Sequence, residues 1–130
     1  MKELLKAVHN KLDGSGLWSS LGGRVYFDHA PQGTVFPYCV YYLINDKYEY
    51  QFDSEFQEVV LQFNIFDQSS SALNILSYYD DLRDVMDWSS LSITGYDCIK
   101  VEPEWANIEW LEEEEAWICR TQYRVLQEKQ

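Results

Sequence analysis

The sequence predicts an α+β domain: a mainly antiparallel sheet with two helices packed on one face and a long projecting β-hairpin. Three observations predict it. Apolar residues recur at helical spacing in two separated segments, residues 2–13 and 69–88. Between them lie two extended segments, 38–52 and 55–66, close enough in sequence to pair with each other. Two more strand-like segments, 91–105 and 116–127, follow the second helix. Helix, strands, helix, strands is the order of a sheet with its helices on one side. The 130 residues suit a single domain spanning 1–130, without repeats or linkers.

The first helix rests on Leu4, Leu5, Val8 and Leu12, with Lys and Glu between them. Gly14 and Gly16 stop it. "LWSSLGG" reads as a loop, with Leu17 and Trp18 as anchors to the core. "RVYFDH" is a short strand, and "APQGTVFP" a loop in which Pro31 and Gly33 suit a turn and Pro37 opens the next strand. In the second helix Ala72, Ile75, Leu76, Tyr79, Leu82, Val85 and Met86 form one stripe, and the preceding Ser run offers N-caps. In the last strand Trp117, Cys119, Thr121, Tyr123 and Val125 share one face.

The hairpin carries the most information. "DKYEYQF" alternates strictly, and Val59, Leu61, Phe63 and Ile65 recur at period two. With Asp53 and Ser54 as a two-residue turn, Tyr48 faces Val59, Ile44 faces Phe63 and Tyr42 faces Ile65. The first strand then runs to about 50 Å, longer than a compact domain of this size covers. Tyr42, Ile44, Phe63 and Ile65 at its base are expected to pack on the helices. Tyr48, Tyr50, Phe52 and Phe56 at its tip stand among charges and gain little in a monomer; in an assembly they are expected to be buried against a neighbouring subunit or another component.

Composition narrows the function. The net charge is −12, with ten Lys and Arg scattered among 22 acids. That disfavours phosphate contacts to nucleic acid and adhesion to anionic membranes. No apolar run approaches the ~20 residues of a membrane span, and the first residues lack the apolar core of a signal peptide. The aromatic share of 16%, with ten Tyr and five Trp, exceeds what one small core needs and suits protein interfaces. Cys39, Cys98 and Cys119 lack close spacing and read as reduced thiols.

No chemistry emerges from the motifs. His9 and His29 have no ligand partners at useful spacing, so no metal or other cofactor is expected. Asp28 and His29 are adjacent and on a strand point to opposite faces. No nucleophile elbow is present, and "GSG" at 14–16 lacks the context of a phosphate cradle. Cys39 lies in an apolar strand, where burial makes a thiol inert. Glu112, Glu113, Glu114 and Glu115 lack the interleaved Asp, Asn and Gly of a cation loop. They read as a solvated turn or as a charged surface facing something it must not hold. Trp105, Trp110 and Trp117 bracket that run, with Trp105 and Trp110 as candidate interface residues.

The helix at the N-terminus, "GRVYFDHAPQGTVFPYCVYYLI", the long hairpin, the "QFNIF" strand and "SALNILSYYDDLRDVM" together resemble the tail-terminator, or tail-completion, proteins of long-tailed bacteriophages and prophages. The most specific part is Ala30, Pro31, Gln32, Gly33, Phe36 and Pro37. The resemblance implies a non-enzymatic virion protein assembled in the host cytoplasm. It implies a homo-hexameric ring on the tail tube that ends tube growth and joins the head. Its partners would be the tail tube protein and a head-completion or connector protein. DNA would only pass through the lumen, with the acidic run facing it. The competing class is a small acidic monomeric binding module or DNA-mimic inhibitor.

Overall fold

The computed structural model of the chain describes residues 1–51 and 54–130, the side chains of residues 49–51 excepted. Helix α1 (Lys2–Leu12) and a short helix α2 (Gly16–Ser20) precede strand β1 (Val25–Phe27). Strands β2 (Tyr38–Gln51) and β3 (Ser54–Asp67) form the hairpin. Helix α3 (Leu73–Met86) is followed by β4 (Tyr96–Leu111) and β5 (Ala116–Lys129). The five strands form one sheet in the order β1-β2-β3-β5-β4, with β1 parallel to β2 and every other pair antiparallel.

Alternation on β3 and β5 builds the core. Val59, Leu61, Phe63 and Ile65 of β3 and Cys119, Tyr123 and Val125 of β5 are buried. They form one cluster with Leu4, Val8 and Leu12 of α1 and Ile75, Leu82 and Met86 of α3. Leu17 is fully buried and Trp18 packs at the margin, so both anchor the chain as expected. They do so from a helix rather than a loop. The Ser15 hydroxyl accepts a hydrogen bond from the Trp18 N–H at 3.2 Å and caps α2. Ser20 in turn donates to Asp81 on α3 at 2.7 Å. On α3, Leu76 departs from the predicted stripe and is exposed. Its N-terminus uses the Ser run: the Ser71 hydroxyl accepts from the Leu73 N–H at 3.2 Å.

The hairpin register differs from the expected one. Gln51 pairs with Ser54, so Ser54 belongs to the strand. Tyr48 faces Gln57, Asp46 faces Val59, Tyr41 faces Phe63 and Cys39 faces Ile65. The buried residues at the base are therefore Cys39 and Tyr41, not Tyr42 and Ile44. Residues 38–44 are apolar on both parities, so hydrophobic pattern alone does not choose between them. A bulge at Ile44, between Leu43 and Asn45, then switches parity in the upper half. Nor is the hairpin a bare ribbon. Strand β5 pairs with β3 from Phe56 to Asp67, almost to the end of β3.

The next strand also starts and ends later than expected. Gly95, at φ +83°, closes a turn in which Ile93 bridges Tyr96. From there β4 continues to Leu111, with register shifts between Cys98 and Lys100 and between Pro103 and Trp105. A proline and two bulges are tolerated because β4 is the outer strand.

Two predictions follow from this packing. Phe63→Ala should lower stability by about 3–5 kcal/mol, as buried aromatic truncations do. Leu73→Ala, at a side chain 73% exposed, should change it by under about 0.5 kcal/mol. Urea denaturation distinguishes them, and comparable losses would contradict the core assignment. The second concerns alkaline pH. Burial raises the Cys39 thiol, with neighbouring Cys119 adding to the effect, and pushes Cys119 up to about 12. Burial likewise raises Tyr41 and Tyr123. Unfolded thiols and phenols ionise near ~8.5 and ~10, so the unfolded state loses protons first. Stability is therefore full below about pH 8.5 and falls as pH rises from there toward 12. The urea midpoint should drop between about pH 7 and pH 10.5; an unchanged midpoint would contradict these environments.

Candidate functional site

The face of the sheet turned away from the core cluster is organised by side-chain hydrogen bonds. Trp105 on β4 donates its indole N–H to Gln122 on β5 at 3.1 Å. Gln122 donates to Gln62 on β3 at 2.9 Å, and Gln62 to Asn64 at 2.9 Å. Asn64 donates to the Tyr42 hydroxyl on β2 at 3.3 Å. This ladder crosses four strands, and Gln62 within it is only 8% exposed. Beside it, Arg124 lies between Glu58, at 2.8 Å, and Glu104. Arg120 donates to Asn107 at 3.2 Å and to Glu109 at 3.1 Å. Two β5 arginines thus neutralise carboxylates contributed by β3 and β4.

A second polar row lies on the opposite face, near the hairpin end. Buried Gln127 donates to Gln57 at 2.6 Å, and Gln57 donates to Asp46 at 2.7 Å. Neither row was anticipated from the sequence. The available signal was glutamine at positions 57, 62, 122 and 127, inside otherwise alternating strands.

The residues expected at an interface fall into separate places. Tyr48 is 51% exposed on β2, and Phe56 is half-buried on β3, one step from it across the hairpin. Phe52 and the side chain of Tyr50 lie outside the described residues. Trp105 is exposed on the ladder face. Trp110 is on the other face, edge-to-face with Trp117 at 5.4 Å. Glu112–Glu115 form the exposed turn joining β4 to β5, at the end of the sheet remote from Tyr48. Glu115 takes a φ of +51° there.

The possible chemical groups are placed as follows. Asp28 has a φ of +71°, which bends the chain and brings its carboxylate 3.4 Å from the His29 ring. The two do meet, contrary to the expectation for a straight strand, but as a solvent-exposed pair. Cys39 and Cys119 flank Ile65 on adjacent strands, about 9–10 Å apart and too far to bridge. All three cysteines are free. Among the described residues, no group of three or more His, Cys, Asp or Glu is placed to hold a metal ion. Nor, among them, is any helix long and apolar enough to cross a membrane.

The ladder yields a stability prediction. Gln122→Ala removes the acceptor of Trp105 and the donor to buried Gln62, and should cost about 1–3 kcal/mol. Trp105→Phe removes a donor at a solvent-exposed position and should cost less. Equal losses in chemical denaturation would show that the ladder is not a connected unit.

The comparisons with known proteins agree with this architecture. The family model described as "Tail completion protein gp17" matches residues 6–128. A chain of the solved structure titled "Virion of native gene transfer agent (GTA) particle" superposes with a TM-score of 0.75. The match covers 93% of this chain and 91% of that one, at 11% identity, so it speaks to the fold alone. No curated protein matches the sequence. With the family model spanning nearly every element from α1 to β5, the chain belongs to the tail completion protein gp17 family, a family of structural, non-enzymatic phage tail proteins.

Proposed function

We propose that the chain is the terminator of a phage tail, closing the head-proximal end of the tail tube as a homo-hexameric ring. The ring stops tube polymerisation and offers the surface to which the filled head joins. Its partners are copies of itself, the tail tube protein and a head-completion or connector protein. DNA only passes through the lumen, and the net charge of −12 keeps the duplex from adhering. The observation that carries this reading is the family match over residues 6–128.

Several features support it. Buried residues of α1 and α3 cluster with the core side of β3 and β5, which leaves the ladder face for contacts. The hairpin end, with Tyr48 and Phe56, and the exposed Trp105 offer aromatic anchors of the type that dominate interfaces. Trp110 sits beside the acidic turn as a further contact. Strand β2 runs on to Gln51, well past the Cys39–Tyr41 segment that pairs with β1, and a long outer strand of this kind suits strand addition from a neighbour. A DNA mimic would need its carboxylates free along one face, whereas Glu58, Glu102, Glu104 and Glu109 are all engaged by Lys or Arg.

Electron micrographs of tails assembled with and without the protein test this reading. Without it, tubes should be overlong, variable and headless. With it, they should be uniform and carry extra density at one end. Tails of normal length that join heads in its absence would overturn the proposal.

A further inference from the structure

Three of the ten Lys and Arg of this acidic chain lie on one short helix, α1. Lys2, Leu5, Lys6 and His9 fall at i, i+3, i+4 and i+7, a second stripe beside the buried one. Together with Phe27 and Tyr41 they line a groove of about 560 Å3 between α1 and the β1–β2 edge. The floor is apolar: Phe27 is 43% exposed and stands edge-to-face with Tyr41 at 5.4 Å. The rim is basic and poorly neutralised. Among the described residues, Lys2 has no carboxylate within 4.0 Å, and Lys6 has only Glu3 at 3.9 Å. Elsewhere most cations are committed, Arg83 to Asp87, Arg120 to Glu109 and Arg124 to Glu58 and Glu104.

The complement of this groove lies at the opposite edge of the same sheet. The β4–β5 turn carries Glu112–Glu115, all exposed, above half-buried Leu111 and Trp110. It is an acidic crown on an apolar base. Near α3, by contrast, Asp81 accepts from Ser20, and Asp87 just after the helix accepts from Arg83 and Tyr123. Within one chain the turn cannot reach the groove. Three strand spacings separate β2 from β4, and five residues of β5 separate the row of Tyr41, Phe63 and Thr121 from the turn. That holds them about 20 Å apart.

We infer that the acidic β4–β5 turn of one copy docks in the basic, apolar α1–β1 groove of the next. This contact rests on the ring reading above and assigns its interface. It is heterologous, joining opposite edges of the sheet, which is the kind of contact that closes into a ring. It also moves Glu112–Glu115 from the lumen to a subunit boundary, where an apolar base beneath the carboxylates has a purpose.

The test uses an equal mixture of 15N-labelled and unlabelled full-length protein, both in concentrated solution and on tail tubes. A zero-length carbodiimide joins amines to carboxylates in contact, and mass spectrometry then identifies peptides of mixed isotope. The expected result is a link from Lys2 or Lys6 of one copy to Glu112–Glu115 of another. Lys2→Glu with Lys6→Glu should reduce assembly at least tenfold, as should Glu113→Lys with Glu114→Lys. The four changes combined in one chain should restore it. The turn variant alters only exposed residues, so it remains informative if the helix variant misfolds. Mixed-isotope links solely between other residues would overturn the groove assignment and leave the ring standing. No mixed-isotope link on tubes that carry the protein at their ends would likewise overturn the groove assignment alone, and tubes that never carry it would overturn the ring reading as well.

Discussion

The sheet depends on one row of aromatic contacts through its central strand. Phe63 on β3 stacks on Tyr41 of β2 at 5.4 Å and meets Tyr123 of β5 edge-on at 5.7 Å. Each of these rings buries an area that few aliphatic side chains match. The row fixes the register of three strands at once, because a slip of one residue would turn Phe63 to the other face. It also reaches the helical layer. The Tyr123 hydroxyl donates to Asp87, which follows α3 and accepts from Arg83 as well. Without that acceptor a buried phenol would carry an unpaired donor.

From this row the two faces of the sheet diverge. On the core side alternate residues meet α1 and α3 and exclude water. On the other side the same strands present Gln62, Asn64, Gln122 and the charge clusters around Arg120 and Arg124. A sheet face held by hydrogen bonds keeps its shape without a covering helix. Such rigidity favours binding by a structural protein, since ordering a surface at the moment of binding costs affinity. The edges follow the same logic. Pro103 and two bulges on β4 break the regular edge that would otherwise template indiscriminate strand pairing.

Much of this was determined by the sequence alone. Period-two alternation in β3 and β5 and helical spacing in α1 and α3 are local signals, and each identified its element and buried face. The loop from Ala30 to Pro37 was legible because proline and glycine restrict the backbone directly, although β1 ends at Phe27, before the expected His29. The family could be recognised from that loop and the order of elements, and the model match over residues 6–128 agrees. Tertiary structure decided what local pattern leaves degenerate. The parity of residues 38–44 was open because both sides of that run are apolar, and pairing with β3 chose Cys39 and Tyr41 for the core. The bulges at Ile44 and in β4 cost one residue of alternation each and arise only from strand pairing. The glutamine ladder joins residues up to 60 positions apart. The α1 groove and the acidic turn acquire meaning only at opposite edges of one sheet. Distance in space is set by the packing of the whole chain, and no window of sequence contains it.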